Sequence, residues 1–216
     1  MSQDTQLQQA VLDELSWEPS VVAAHIGVAA ASGVVTLSGH VASYAAKHAA
    51  EAATRRVKGV KAVAEELEVR LPMDTKRSDE AIAAAAVDRL AWDVSVPRDS
   101  VKVSVEKGWV TLSGEVDWFY QKDDAKQDVR RLWGVVGVSD QITIKPRVDT
   151  TNLSDDITHA LHRSWFFNPD QVTVTAKGGR VKLTGTVRSW NERQTAASTA
   201  WSAPGATSVE NDLVVV

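Results

Sequence analysis

Apolar residues recur along the chain in two rhythms, steps of three and four and steps of two, and the pair of rhythms is met three times. The longer steps join Leu7, Ala10, Val11 and Leu15, then Ile82, Ala85, Ala86 and Leu90, then Ile157, Ala160, Leu161 and Trp165. Such spacing puts each set on one face of a predicted helix. Ser78 and Ser154 stand where N-caps would satisfy free backbone donors. An aromatic follows each stripe (Trp17, Trp92, Phe167), and its recurrence predicts packing within the module. Pro19, Pro97 and Pro169 then end the helix or lie in the loop beyond.

The shorter rhythm runs through a glycine-bounded segment. Gly33-Val-Val-Thr-Leu-Ser-Gly39-His-Val41 recurs as Gly108-Trp-Val-Thr-Leu-Ser-Gly114-Glu-Val116 and as Gly179-Arg-Val-Lys-Leu-Thr-Gly185-Thr-Val187, the copies starting 75 and then 71 residues apart. Val35 and Leu37, like Val110 and Leu112 and like Val181 and Leu183, alternate with polar neighbours as a half-buried strand requires. A preceding strand (25–29, 101–105, 172–176) forms a hairpin through Ser32-Gly33, Lys107-Gly108 or Gly178-Gly179. A second helix follows caps at Ser43, Asp117 and Ser189, with Ala50, Thr54 and Val57, Ala125, Val129 and Leu132, and Ala196, Ala200 and Ala203 facing inward. Short strands at 67–69, 142–144 and 213–215 close the units, and Pro72 and Pro146 mark linkers.

The predicted architecture is α+β: three tandem α-β-β-α-β modules, each a three-stranded mixed sheet with two helices on one face. The module boundaries fall at 1–72, 73–146 and 147–216. A module of that size is near the lower limit for a self-sufficient core, so packing between modules or homo-oligomerisation is expected to bury further surface.

These residues resemble the BON domain, the module of bacterial osmotically inducible and nodulation proteins, over nearly the whole chain. The resemblance rests on Val101-Lys-Val103, Gly108 to Val116, Lys122 with Ala125, Gly134-Val135 and Val138 to Ile142. The basic position recurs as Lys47 and Arg193. The family's asparagine stands only at Asn211, with Glu65 and Asp140 in its place elsewhere. The resemblance implies a stress-associated, non-enzymatic binding protein of the bacterial envelope that contacts phospholipid surfaces.

Composition narrows the choice. Apolar residues at 44% and charged residues at 24% fit a globular chain, and a net charge of −4 argues against a general nucleic-acid binder. Absence of cysteine removes disulfides and thiolate chemistry. The N-terminus reads without a secretory signal and no stretch is long enough to span a membrane. The compartment expected from this is the cytoplasm, or the periplasm if a leader has been removed.

No catalytic residue, cofactor or metal site is expected. His159 and His162, three apart on a helix, lack a third ligand at zinc spacing. Asp123-Asp124 and Asp155-Asp156 read as acids favoured at helix N-termini, and Gly178-Gly179 as a hairpin turn. Tyr44, Phe119 and Trp190 recur together, which predicts packing within each module. Four aromatics of the middle unit, Trp109, Trp118, Tyr120 and Trp133, have no aromatic counterpart in the other copies, although the chain holds eight tryptophans. Trp109 alternates with core Val110 and so lies on the outer sheet face, and Tyr120 points away from the inward helix face. They are read either as structural filling and contact between units or as a partner or lipid surface. Arg130-Arg131, like Arg55-Arg56, ends a second helix, where cations suit the dipole or reach an anionic headgroup. Trp109, Trp118, Tyr120, Trp133, Arg130 and Arg131 are therefore the candidate binding residues. The two function classes in play are a binding protein for phospholipid or a protein partner, and a structural scaffold of self-packing modules.

Overall fold

The computed structural model describes residues 3–146, 150–163 and 171–216. Trp165, Phe167 and Pro169 lie outside them. The first module runs α1 (Gln3–Trp17), β1 (Ile26–Ala31), β2 (Val34–Val41), α2 (Tyr44–Arg56) and β3 (Ala62–Val69), with a 3₁₀ turn at Ala23–His25. The second runs α3 (Asp79–Trp92), β4 (Val101–Glu106), β5 (Trp109–Val116), α4 (Phe119–Arg130) and β6 (Gly137–Ile144). The third runs α5 (Leu153–His162), β7 (Val172–Lys177), β8 (Arg180–Val187), α6 (Trp190–Trp201) and β9 (Ser208–Val215). Each module holds one three-stranded sheet with the hairpin's second strand in the centre. In the first and third sheets the hairpin is antiparallel and the last strand joins parallel to the central one.

The hairpin is set by backbone geometry. Ser32 and Gly33, Lys107 and Gly108, and Gly178 and Gly179 all have positive φ, as a two-residue turn matched to strand twist demands. The second motif glycine has a different reason. A Cβ on Gly39 would lie 2.2 Å from the carbonyl oxygen of His25, and on Gly114 or Gly185 2.0 Å from that of Ser100 or Gln171. Only glycine lets the strand approach there.

With the register fixed, Val35 and Leu37 face inward and pack with Val11 and Leu15 of α1 and Ala46, Ala50 and Ala53 of α2, so both helices cover one sheet face. The third core repeats this with Leu153, Ile157, Leu161, Val181, Leu183, Ala196 and Ala200. Val110 and Leu112 are fully buried in the middle module.

Several expectations are corrected. The buried stripe of α5, the first helix of the third module, begins one turn before the expected one: Leu153, Ile157 and Leu161 are buried, 71 residues after Ile82, Ala86 and Leu90, so Leu161 and not Trp165 matches Leu90. Ser154 is not a cap. Its hydroxyl donates to the Val174 carbonyl at 3.1 Å, as the Gln8 amide donates to Val28 at 2.7 Å in the first module. Ala10 and Ala85 are exposed, because the buried stripe is a narrow row of four-residue steps. Ser43, Ser78 and Ser189 do cap, accepting from the backbone N–H of Ala46, Ala81 and Glu192. Asp117 does not. Gln121 Oε1 accepts from the N–H groups of Asp117 and Trp118 at 3.0 Å each, and the Asp117 carboxylate pairs with Lys145. Asp123-Asp124 fall beyond the first turn of α4, whereas Asp155 and Asp156 do sit in the first turn of α5. The closing strands have eight residues, longer than their apolar cores, because parallel pairing carries them through exposed Ala62 and Glu66.

The chain forms two compact units that do not coincide with the modules. One comprises Met1–Trp92, Val103–Leu112 and Lys126–Asp140, and the other comprises Asp93–Lys102, Ser113–Ala125 and Gln141–Val216.

Leu37, Leu112 and Leu183 have no exposed surface. Truncating any of them to alanine is expected to cost ~2–5 kcal/mol, the range for a buried leucine that leaves a cavity. Urea denaturation checks this, and a loss no larger than that of a surface change would mean that the inward face is misassigned.

Candidate functional site

The recurring basic position is a structural tie. Lys47 Nζ donates to the Leu67 carbonyl at 2.9 Å, Lys122 Nζ donates to that of Ile142, and Arg193 Nε donates to that of Leu213 at 3.0 Å. In every module a cation of the second helix thus holds a carbonyl of the last strand. Asn211 completes the tie in the third module: its amide donates to the Arg193 carbonyl, and its oxygen accepts from Leu213 N–H. In the first module Glu65 stands at that position, 3.8 Å from Lys47. Burial pushes the Glu65 carboxyl up, with Lys47 opposing.

The helix-end arginines are used internally as well. Arg56 reaches Glu14 at 3.0 Å and Glu18 at 3.2 Å, tying α2 to α1 and its following residue. Arg89 of α3 meets Asp128 of α4 at 2.9 Å.

Tyr44, Phe119 and Trp190 do not serve simply as the packing of their own modules. Phe119 stacks on Trp201 of the third module, with centroids 4.2 Å apart and planes at 14°. Tyr44 accepts a hydrogen bond from the Val138 backbone N–H, while burial pushes its hydroxyl up. Trp190 lies under the Arg193 guanidinium at 4.8 Å.

Among the six candidate binding residues, Trp109 is 51% exposed and Tyr120 53%. Trp109 opens β5 on the outer sheet face and lies flat on Gly137, where a Cβ would come within 2.4 Å of the ring. The other modules have Ala62 and Ser208 at that place beside Val34 and Arg180. Trp133 is 66% exposed, Arg131 is exposed, and Trp118 and Arg130 are half-buried. Trp109, Arg130, Arg131 and Trp133 belong to the first compact unit, and Trp118 and Tyr120 to the second.

The larger correction concerns Trp17 and Trp92. Read as packing, they are 84% and 86% exposed. Each is the last residue of its first helix, and exposed Val22 and Val94 follow in the loops. Helix phase carried the signal: two residues beyond Leu15 or Leu90 is about 200° around the axis, opposite the buried stripe. The 71-residue offset places Arg163 at this position of the third module.

His159 and His162 are exposed. Among the described residues, no group of three or more His, Asp or Glu could hold a metal ion, and no helix is long and apolar enough to cross a membrane.

Glu51 of α2 gives the first module a pH handle. His48, 3.7 Å from one carboxylate oxygen, and Arg55, 2.6 Å from the other, hold its carboxyl below the ordinary range against the cost of burial. A lowered folded-state value contributes stability that is complete above the unfolded value, about 4.3, and is lost as pH falls through the folded one. Glu51→Gln is therefore expected to flatten the acid limb of the stability–pH curve. Denaturant titrations at several pH values between neutrality and the acid transition measure it, and an unchanged limb would exclude Glu51 as a contributor.

Comparison with known proteins agrees with this construction. A family model for the BON domain matches residues 3–70, 78–146 and 149–216. Osmotically-inducible protein Y of Escherichia coli (strain K12) is 35% identical over 119 residues, which is 52% of this chain and 58% of that protein. The chain thus spans little more than half the length of this curated relative, and the match lends no support to the cytoplasmic compartment expected above. Among solved structures, CdsD, a structural protein of the Type III secretion system of Chlamydia trachomatis, is 16% identical. It covers 98% of this chain and 92% of its own at a TM-score of 0.27, too low to carry a structural argument. Three matched copies of the domain account for nearly every residue, and the chain belongs to the BON domain family.

Proposed function

We propose that this chain is a non-enzymatic, stress-associated binding protein that docks on phospholipid surfaces through exposed aromatics at the ends of its first helices. The observation that carries the reading is the near-complete exposure of Trp17 and Trp92 at one equivalent position of two modules. Leaving two indoles in water costs free energy that an acyl–headgroup boundary recovers, and tryptophan is the residue most suited to that boundary. Val22 and Val94, which follow them in sequence, are exposed as well. Two weak tips on one chain reinforce each other by effective concentration. Family membership and the similarity to an osmotically-inducible protein support the stress association.

Trp109 and Tyr120 are proposed as secondary contacts, and Trp133 and Arg131 as exposed neighbours of the same kind. Trp118 and Arg130, half-buried, take a smaller part. The second reading is a scaffold of self-packing modules. It is favoured by the Phe119–Trp201 stack, which spends two aromatics on contact within the chain.

Co-sedimentation with anionic and neutral vesicles separates the two. Trp17→Ala with Trp92→Ala is expected to leave the fold intact and to weaken vesicle binding, with each indole worth roughly 1–2 kcal/mol on partial insertion. Trp109→Ala with Tyr120→Ala is expected to have a smaller effect in the same direction. Vesicle binding that is absent in the parent chain, or unchanged in the first double variant, would favour the scaffold. Oligomer size by light scattering would then be the property to respond.

A further inference from the structure

We propose that His25 and His40 form a surface site for a late first-row divalent transition metal, with Cu²⁺ bound most tightly. His25 closes the 3₁₀ turn before β1, and His40 lies near the end of β2. Their rings stack with centroids 4.6 Å apart and planes at 16°. His40 alternates with buried Val41 and so faces outward from the sheet, where His25 is exposed and His40 half-buried. The rings need only turn about their side-chain torsions to aim two nitrogens at one ion.

What holds the two backbones together is the motif and not the rings. Gly39 abuts the His25 carbonyl so closely that a Cβ would stand 2.2 Å from its oxygen. The other modules serve as internal controls. They make the same approach, Gly114 against Ser100 and Gly185 against Gln171, yet carry Glu115 and Thr186 where His40 stands. The fold needs no imidazole at either place. The pair is an addition to a scaffold that already fixes its spacing, and such preorganisation favours chelation by two side chains.

Imidazole nitrogen suits Cu²⁺, Ni²⁺ and Zn²⁺, and the order of divalent affinities puts Cu²⁺ first. The residue in register with His40 on β3 is Glu68, and Arg70 engages its carboxylate at 2.7 Å. Among the described residues the site has these two donors and leaves the remaining positions to water, an open site unlike the four-ligand closure of structural zinc. His48 belongs to the Glu51 cluster. His159 and His162, exposed on α5, are the competing pair.

Calorimetric titration of the untagged full chain with CuCl₂, NiCl₂ and ZnCl₂, joined to electron paramagnetic resonance at one equivalent of Cu²⁺, tests the site. The expected result is one principal Cu²⁺ site per chain with nitrogen splitting from two imidazoles. His25→Gln and His40→Gln should each weaken it by about tenfold or more while the circular dichroism spectrum stays that of the parent. His159→Gln with His162→Gln should leave it unchanged. Loss of Cu²⁺ binding in that helix variant would overturn the proposal. So would parent-like affinity in both single variants, which would place the ion on the N-terminal amine or elsewhere, and so would the absence of Cu²⁺ binding by the parent chain.

Discussion

The approach of the second motif glycine to the carbonyl that precedes the hairpin's first strand is the constraint from which the rest follows. At Gly39, Gly114 and Gly185 the central strand passes so close to its neighbour that no side chain fits. A slip of one residue would put a Cβ into that carbonyl and also turn Val35, Leu37 and their mates to solvent. Steric exclusion and core burial therefore select the same register. Both helices can then be modest, because the sheet they cover is already defined. The small inward residues of the second helices, Ala50, Ala53, Ala196 and Ala200, bring the backbone close to the sheet.

A three-stranded sheet has two edges, and open edges invite pairing with other chains. In this chain, side chains occupy carbonyls on edge strands. Gln8 and Ser154 donate to the first strand of their modules, and Lys47, Lys122 and Arg193 donate to the last. Tyr44 uses an edge N–H of β6. The basic residue that recurs in all three copies is thus explained by backbone satisfaction, without appeal to an anionic ligand. A charged donor on a strand carbonyl is worth more than a neutral one, which accounts for lysine or arginine there in each copy.

The sequence revealed the fold through features that admit one physical solution. Paired glycines at a fixed interval, with valine and leucine alternating between them, match a glycine turn followed by a half-buried strand. The stripe of α5 is ambiguous in the sequence because apolar residues stand at four positions spaced four residues apart, Leu153, Ile157, Leu161 and Trp165, and any three make a stripe. The 71-residue offset between the second and third modules is the deciding signal. The exposed tips are hidden in the sequence for another reason. Recurrence of Trp17 and Trp92 suggests packing, but a repeated site recurs as faithfully as a repeated core, and only helix phase tells them apart. Strand alternation with buried Val110 places Trp109 on the outer face, where it is half exposed. Its seat on Gly137 was out of reach, because contacts between strands depend on the parallel register.

Three copies of one module in a single chain let each position be judged against two others under the same backbone constraints. Where the motif fixes the backbone, residues facing the core are restricted by volume, and those facing outward are free to differ without cost to register. The outer positions do differ. Trp109 on Gly137 stands against Val34 with Ala62 and Arg180 with Ser208, and the His25–His40 pair stands against Ser100 with Glu115 and Gln171 with Thr186. Since the scaffold folds with either set, stability does not account for the larger side chains. An indole left half exposed on a sheet, or two imidazoles stacked at its rim, gains little from burial. Surface chemistry is what distinguishes these modules, and the glycine contacts are what allow it to vary on a fold that stays the same.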